Sequence, residues 1–486
     1  MKNLDKELRE LNGQRIEHSL SLRKQKLNKF ILKRRLGLSN DNSLKKEEII
    51  IKEEYKTKQF KDITDLLNFS TNILNNEKSD INDIKFVICL LKATEIKNDQ
   101  GEVSNSNIIK ELSKVLNNYI NDRIIVNEIL GILITFSFYL SIDTNMNLIT
   151  NEYLNIYSKL SNQYFNDVNI FNNLIILLGN LAYNNNTAQK IFYQTKLFEE
   201  IYHLAQNEKA PKDKRDVCLW FLACFSKGIQ SNNYFVNNHQ LFKSLIDIML
   251  FNLANQEQTL NCLDSIGNLT EIQIICEYLV TKKELFNFIF KNINPDYFTL
   301  TNKILINITS FNENINLYLI EKYKEIIPYC FKLLNCTSNI IKGQVIFLFG
   351  NLIENRPSKI NAILENYGIF DKIYEYLDSP LPEIIDKDIY VFNIMLISLN
   401  NEGIFKLFQK NIHLKLINIL KIDYKREIID KAIDAIIEFL KKDSQDGIIK
   451  QSFIDNGLKE VFTKMELNRN DAELYMRTED ILRHYF

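Results

Sequence analysis

Apolar residues along the middle of the chain recur at the spacing of an amphipathic helix. In the stretch "NIFNNLIILLGNLAY", Leu174, Leu177, Leu178 and Leu181 fall at i, i+3, i+4 and i+7, which places them on one helical stripe. Further amphipathic stretches of this kind follow, as in "TKLFEEIYHLAQNE" and "YGIFDKIYEYLDS". The run "DITDLLNFS" (62–70) is predicted to begin the packed helices. The pattern predicts a chain of helices that bury their apolar stripes against one another.

A repeat underlies these helices. The fragments "LLGNLAYN" (177–184), "SIGNLTEI" (265–272) and "LFGNLIEN" (348–355) resemble each other, and their asparagines are separated by 88 and 83 residues. Both gaps are about twice 42–44 residues, a period typical of armadillo and HEAT units. The positions in phase with this period are Thr135, Asn180, Cys224, Asn268, Asn307 and Asn351.

Composition supports helical repeats over a β architecture. Gly (13) and Pro (6) are scarce in 486 residues, whereas all-β folds need many turns. Helix breakers fall at the predicted borders between units, at Pro211, Pro295, Pro380 and Pro382. We therefore predict an all-α, right-handed superhelical solenoid of about ten repeats with a long concave face. The predicted units start near Asp83, Asn121, Asp167, Lys212, Gln256, Asp296, Asn339, Asp386, Lys425 and Asn470.

Charge is distributed unevenly between the front of the chain and the rest. Residues 1–36 contain 11 Lys/Arg and 4 Asp/Glu, although the whole chain has a formal net charge of −1. The remainder is therefore acidic, with 49 Lys/Arg and 57 Asp/Glu. Such a basic arm favours a charged partner, or docking of the arm on its own acidic body.

The seven cysteines and the ionisable residues give no sign of catalysis. All seven lie in apolar stretches with helical spacing and are predicted to be buried, reduced thiols. Cys218 and Cys224, like Cys330 and Cys336, lie six residues apart, which is not a zinc spacing. No P-loop, HExxH or GxSxG motif occurs, so we expect neither an enzyme nor a cofactor or metal site. We find no signal peptide and no run of 18 apolar residues, and expect a cytosolic or nuclear protein without a membrane span.

The basic front of the chain resembles a known family. The segment "RIEHSLSLRKQKLNKFILKRR" (15–35) resembles the importin-β-binding segment of importin-α in eleven positions without a gap. The matching residues are Arg15, Ile16, Glu17, Leu22, Arg23, Lys24, Lys26, Leu32, Lys33, Arg34 and Arg35. Read as a helix, residues 20–35 combine a narrow apolar stripe with broad basic faces, which suits an acidic groove.

The resemblance extends to the end of the chain and implies a domain organisation. Residues 457–486 are similar to the short tenth repeat of importin-α, through Gly457, Leu458, Tyr475, Ile481, Leu482, Tyr485 and Phe486. The predicted divisions are an importin-β-binding-like arm (1–38), a flexible linker (39–60) and an armadillo-repeat solenoid (61–486). In this family Lys33, Arg34 and Arg35 would also act as an autoinhibitory mimic that occupies the cargo groove.

The resemblance also implies a cargo site on the third helix of each repeat. There the family carries Trp-x-x-x-Asn, in which the rings hold cargo lysines and the amides hold the cargo backbone. By this pattern the cargo-binding residues are Asn180, Trp220, Asn268, Asn307 and Asn351. This chain departs from the pattern because Trp occurs once, and Gly131, Ile176, Asp264, Lys303 and Phe347 take the other tryptophan positions. We therefore expect weak binding of lysine-rich nuclear localisation signals.

Three functions remain open at the level of the sequence. The resemblance implies a nuclear import adaptor that shuttles between cytoplasm and nucleus, with an importin-β-type carrier, localisation-signal cargo and an exportin with Ran-GTP as partners. The loss of tryptophan from most positions of the family pattern instead favours an armadillo scaffold for a dedicated protein partner. The third hypothesis is that the basic arm binds nucleic acid, with an affinity that falls steeply as the salt concentration rises. The eleven matches argue against nucleic acid, and the narrow apolar stripe argues against a membrane surface.

Overall fold

The computed structural model describes residues 60–486, apart from 77, 94–99, 230–233, 236–237, 293, 312, 355–363, 365, 444–446 and 469–471. The predicted arm (1–38) and linker, up to residue 59, lie outside the described residues, so their predicted roles stay predictions. The chain divides into two compact units, residues 1–119 and 120–486, and each is described by itself.

The described part of the first unit contains four helices. They are α1 (Ile63–Leu74), α2 (Ile81–Ala93), α3 (Gln100–Asn105) and α4 (Ile108–Asn118). The Asp62 side chain caps α1 by accepting from the backbone N–H of Asp65 at 2.8 Å, as an N-terminal aspartate is expected to do. The run 62–70 therefore lies in the first helix of the described residues, with its cap.

The described part of the second unit is also entirely helical, apart from turns and loops. Its α-helices are α5 (Arg123–Tyr139), α6 (Ile142–Asn145), α7 (Asn151–Gln163), α8 (Val168–Ala182), α9 (Asn186–Tyr193), α10 (Lys196–Gln206), α11 (Lys212–Phe225), α12 (His239–Asn252), α13 (Thr259–Leu269), α14 (Gln273–Leu279), α15 (Lys283–Lys291), α16 (Pro295–Thr309), α17 (Glu313–Lys322), α18 (Ile326–Leu334), α19 (Asn339–Glu354), α20 (Ile369–Tyr376), α21 (Pro382–Ser398), α22 (Asn401–Gln409), α23 (Ile412–Lys421), α24 (Arg426–Lys441), α25 (Ile448–Asp455), α26 (Leu458–Asn468) and α27 (Ala472–Tyr485).

One long helix recurs in every repeat, and it begins close to each position where the sequence predicted a unit to start. We call it the third helix, because it carries the positions that the family pattern assigns to the third helix of each repeat. The third helices of the second unit are α5, α8, α11, α13, α16, α19, α21, α24 and α27. From α5 to α24 each packs against the next, so they form one continuous layer. Aspartate caps or proline set several of these starts: Asp122 and Asp167 accept from backbone N–H groups, and Pro295 and Pro382 occupy the first turn.

The apolar stripe read from the sequence forms the core of α8. Leu174, Leu177, Leu178 and Leu181 are each at most 1% exposed, and full burial of such a side chain contributes about 1.5–3 kcal/mol. Repeats are also joined by hydrogen bonds at helix ends, where carbonyl groups lack intrahelical partners. The Gln189 amide donates to the carbonyls of Ala182 and Phe225, on two successive third helices, at 3.2 and 3.1 Å.

All seven cysteines carry free thiols, and the prediction of burial holds for five of them. Cys89 and Cys336 are only half-buried, so the prediction was wrong for both. Cys89 lies on α2, and Cys336 lies just after α18. Within the described ranges, no group of three or more His, Cys, Asp or Glu residues is arranged to hold a metal ion. No helix in the same ranges is long and apolar enough to span a membrane.

Candidate functional site on the third-helix face

The four predicted asparagines lie in register on four third helices. Asn180 is on α8, Asn268 on α13, Asn307 on α16 and Asn351 on α19. We call the side of the helix layer that carries this row the third-helix face. The four positions differ in exposure: Asn180 and Asn307 are half-buried, whereas Asn268 and Asn351 are 1% and 4% exposed. The row therefore exists as predicted, but its members are not equally accessible.

Three of the amides make the same pair of hydrogen bonds to the preceding third helix. The Asn307 Nδ2 donates to the Thr270 Oγ1 at 2.9 Å and to the Gly267 carbonyl at 3.2 Å. The Asn351 Nδ2 donates to the Thr309 Oγ1 at 3.2 Å and to the Ile306 carbonyl at 3.0 Å. We call this arrangement the amide clamp, since it ties each third helix to the one before it.

The third clamp is formed by Asn180. Its Nδ2 donates to the Ser137 Oγ at 3.0 Å and to the Ile134 carbonyl at 3.5 Å. In all three clamps the hydroxyl also donates to the same carbonyl three residues earlier, at 2.8 to 3.0 Å. The hydroxyl is thereby oriented to accept from the amide of the next repeat.

The carbonyl fixes which way each amide points. A backbone carbonyl only accepts, so the NH₂ end must face it and the Oδ1 must face away. The Nδ2 of each clamp donates toward two acceptors that are themselves hydrogen-bonded to each other at 2.8 to 3.0 Å. The family pattern implied that each amide offers a donor and an acceptor to a peptide. In the clamped geometry the NH₂ group bonds within the fold, and at the half-buried Asn180 and Asn307 the Oδ1 faces away from these two acceptors.

Asn268 is placed differently because two lysines of the chain itself reach it. Its Oδ1 accepts from the Lys227 Nζ at 3.2 Å and from the Lys303 Nζ at 3.1 Å. Lys303 also lies 3.4 Å from the Glu271 carboxylate. Lys303 takes a position where the family carries tryptophan, so the cationic group that a cargo lysine would supply is here supplied internally.

The single tryptophan lies directly on a glycine of the preceding repeat. A Cβ on residue 179 would overlap the Trp220 indole, with the ring Cη2 only 2.9 Å away. Gly179 precedes Asn180, so the absence of a side chain lets the ring of α11 lie against the backbone of α8. Asp216 lies one turn before Trp220 and accepts from the Asn255 amide at 3.3 Å. Burial raises the pKa of this carboxyl, although the Gln258 hydrogen bond opposes the shift.

The seventh and eighth repeats contain a second aromatic contact. The Phe347 and Tyr390 rings stack with centroids 5.8 Å apart, and the Lys431 Nζ lies 5.9 Å from the Tyr390 centroid. Val391 lies over Gly350 as Trp220 lies over Gly179, with 2.8 Å to the Cβ that residue 350 lacks. By this contact Val391 of the eighth repeat is equivalent in position to Trp220 of the fourth.

Ion pairs take the place of amide clamps in the last repeats. Lys431 pairs with Asp386 at 2.7 Å, and Arg477 pairs with Asp430 at 2.8 Å and also contacts Asp434. Burial alone would raise the pKa of Asp386, but Lys387 and Lys431 outweigh it and lower the pKa. For Asp434 burial dominates over Arg477 and the pKa is raised. This part of the face therefore carries alternating charges that are largely matched within the chain.

Sequence reasoning missed the partners of the asparagine row. Ser137, Thr270 and Thr309 were not singled out, although each follows a row position by two residues, as in "GNLT" and "NIT". A search for a hydroxyl at that offset would have found them. Lys227 had no such signal, since it lies in a turn after α11. The arm residues Arg15 to Arg35 lie outside the described residues, so the structure does not place them.

No protein-family model matches the chain, and no curated protein matches it. Among solved structures, the crystal structure of an engineered protein is similar over 86% of this chain and 98% of that chain, with 14% identity and a TM-score of 0.66. A designed armadillo repeat protein in complex with the peptide (KR)4 is similar over 49% of this chain and 98% of that chain, with 18% identity and a TM-score of 0.43. The repeating third helices and the similarity to the engineered protein make the fold of the described residues that of an all-α armadillo-type repeat solenoid.

Proposed function

We propose that this protein is an importin-α-like adaptor. Its basic arm binds an importin-β-type carrier, and its third-helix face holds an extended segment of a cargo protein. Binding of cargo is supported by one observation, the in-register row of asparagines on stacked third helices. Two of these asparagines, Asn180 and Asn307, are only half-buried. An amide row of this kind meets the peptide backbone and so tolerates varied sequence.

The carrier half rests on the arm. Eleven residues of segment 15–35 match the importin-β-binding pattern without a gap, and they include Leu22, Arg23, Lys24 and Lys26. A basic helix with a narrow apolar stripe fits an acidic groove, because the stripe packs while the charged faces pair with carboxylates. The adaptor would shuttle between cytoplasm and nucleus, with release by Ran-GTP and return by an exportin.

A specific observation favours a second candidate, a scaffold for a dedicated partner that carries no lysine-rich signal. Lys227 and Lys303 converge on Asn268, so the middle of the face already holds two positive charges. Like charges disfavour a basic peptide there, whereas a cargo of other composition would be accepted.

One capture experiment separates the two candidates. Immobilised importin-β-type carrier should retain the full chain. The triple variant Arg23→Ala, Lys24→Ala, Lys26→Ala should lose at least about tenfold in affinity, since charge-assisted contacts contribute about 1.5–3 kcal/mol each. The charge-matched control is Lys45→Ala, Lys46→Ala, Lys52→Ala, which changes three lysines outside the matched positions.

The control variant should bind the carrier within about twofold of the wild-type chain, because only the matched positions are expected to touch the carrier. Equal loss in both triple variants would indicate non-specific attraction to positive charge. If the carrier does not capture the wild-type chain, the proposed transport function is wrong and the scaffold for a dedicated partner is the function that remains.

A further inference from the structure

We propose that Lys415 is the moving part of a proton-controlled switch between two carboxyl groups, Asp378 at the surface and Asp388 in the core. While Asp388 holds a proton, Lys415 pairs with Asp378. When Asp388 loses that proton, Lys415 turns inward and pairs with it instead. The switch is a property of the folded solenoid and does not depend on the proposed function.

Asp388 lies in the core on α21 without a hydrogen-bond partner. It is 0% exposed, and neither of its carboxylate oxygens has a partner among the described residues. Burial raises its pKa well above the usual value, because a charge in the core is poorly solvated. The carboxyl group therefore keeps its proton at pH values where exposed aspartates have lost theirs.

Lys415, on α23, is held by two contacts near the end of α20. Its Nζ donates to the Tyr374 carbonyl at 2.6 Å and lies 2.5 Å from the Asp378 carboxylate. The Tyr374 carbonyl is one of the last four of α20, which have no partner within their own helix, and a cation there also interacts favourably with the helix dipole. Lys415 thus caps the C-terminal end of α20.

The two carboxyl groups compete for this one ammonium group. The positive charge of Lys415 opposes the rise in the pKa of Asp388, so it lies within electrostatic reach of that carboxyl group. The Asp378 side chain is 61% exposed, and ion pairs at such positions contribute little. An unpaired carboxylate in the core is far more costly. Ionised Asp388 therefore draws Lys415 away, and α20 loses its cap.

The ionisable groups on the neighbouring elements are engaged elsewhere. The Tyr376 hydroxyl, on α20, donates to the Leu334 carbonyl at 3.1 Å, and burial raises its pKa. On α21 itself, Asp386 pairs with Lys431 of α24 at 2.7 Å. Lys415 therefore supplies the positive charge that acts on the Asp388 carboxyl group.

The test measures hydrogen exchange of residues 369–381 in the full chain from about pH 5 to 9. Each exchange rate is divided by the intrinsic rate at that pH, so that only a change in protection remains. Protection of the end of α20 should fall as the pH rises, because ionisation of Asp388 removes the cap. Asp388→Asn should abolish this fall, since an amide cannot ionise.

The variant Asp378→Asn distinguishes the switch from simple opening of the core to water. Without the competing carboxylate, Lys415 passes to Asp388 more readily, so the pH midpoint of the loss should move down by about 0.5 unit. The matched control is Asp371→Asn on the same helix, since Asp371 forms an equally exposed pair with Lys410 at 2.6 Å. Its midpoint should stay within about 0.1 unit of wild type.

Three results would overturn the proposal. An unchanged midpoint in Asp378→Asn would show that Asp388 ionises without taking Lys415. Equal shifts in Asp378→Asn and Asp371→Asn would assign the effect to general surface charge. A wild-type chain whose protection at α20 is independent of pH would show that no switch operates.

Discussion

The Nζ of Lys303 donates to the Oδ1 of Asn268 at 3.1 Å, and this bond joins α16 to α13 across the third-helix face. It places a positive charge of the chain where the family pattern would accept a cargo lysine. The same lysine lies 3.4 Å from Glu271, so a nearby carboxylate is occupied too.

Removing that charge should increase affinity for basic peptides. Lys303→Met keeps an unbranched apolar side chain beside Gly267, where the Lys303 Cδ lies 3.5 Å from the position that a Cβ on residue 267 would take, but it deletes the ammonium group. We expect the octapeptide (KR)4 to bind the wild-type chain weakly and the variant about fivefold or more tightly, by isothermal titration at low salt. Lys450→Met, at an exposed position, is the control and should leave the affinity unchanged. Nanomolar binding by the wild-type chain would contradict the prediction.

Gly179→Ala should destabilise the contact between α8 and α11. The new Cβ would overlap the Trp220 ring, and displacing a packed ring costs about 1–3 kcal/mol in the free energy of unfolding. Because the chain has one tryptophan, its fluorescence spectrum reports on this ring directly. The matched control is Gly131→Ala on α5, where nothing lies within 4 Å of the added Cβ. That control should stabilise by about 0.5–1 kcal/mol, and equal effects in both variants would refute the contact.

The amide clamp predicts a measurable loss from a single hydroxyl. Thr309→Val removes one of the two acceptors of the buried Asn351 Nδ2, and losing a buried hydrogen bond costs about 1–3 kcal/mol. Hydrogen exchange should speed up in α16 and α19, because the bond joins these helices. Thr463→Val is the control, since that exposed hydroxyl bonds within its own helix, to the Lys459 carbonyl. Unchanged exchange in α16 and α19 would argue against the clamp.

His413 should make the region of α23 and α25 sensitive to acid. Its Nε2 lies 2.8 Å from the Ser452 Oγ, its ring packs against Phe408 and Phe453, and burial lowers its pKa to about 4. The unfolded chain takes up the proton near pH 6.5, so stability is lost as the pH falls from about 6.5 to 4. The loss approaches about 3 kcal/mol, because one pKa unit corresponds to about 1.4 kcal/mol.

The acid sensitivity is checked by hydrogen exchange of α23 and α25 at several pH values. His413→Gln should remove the pH dependence, whereas His203→Gln, at an exposed position on α10, should retain it. Acid sensitivity that persists in His413→Gln would assign the effect to another group.

Asp388 should give the opposite dependence of folding stability on pH. It is fully buried, neither carboxylate oxygen has a hydrogen-bond partner among the described residues, and burial raises its pKa well above the usual value in spite of Lys415. The folded chain therefore keeps a proton that the unfolded chain releases above about pH 4, so stability falls as pH rises through this window. Asp388→Asn should be more stable than wild type at pH 7 and closer to it at pH 4, by urea unfolding. A difference that does not change with pH would contradict this assignment.

Local features of this protein could be predicted from its sequence. The repeat period, the long third helices and the buried stripe of Leu174 to Leu181 follow from apolar spacing, because each helix must bury one face. The starts of these helices follow from Asp167 and Pro295, since caps and prolines act within one turn. The in-register asparagines follow from the same period.

Only the tertiary structure decided what those asparagines do. Their partners lie 43, 37 and 42 residues earlier in the chain, at Ser137, Thr270 and Thr309, and no local pattern determines such pairings. The meeting of Lys227 and Lys303 at Asn268 depends in the same way on how three repeats stack. The repeat period determines which residues share a face of the helix layer. The direction of each hydrogen bond, and which charged side chains reach a given asparagine, depend on distances of a few ångströms between helices, which packing alone sets.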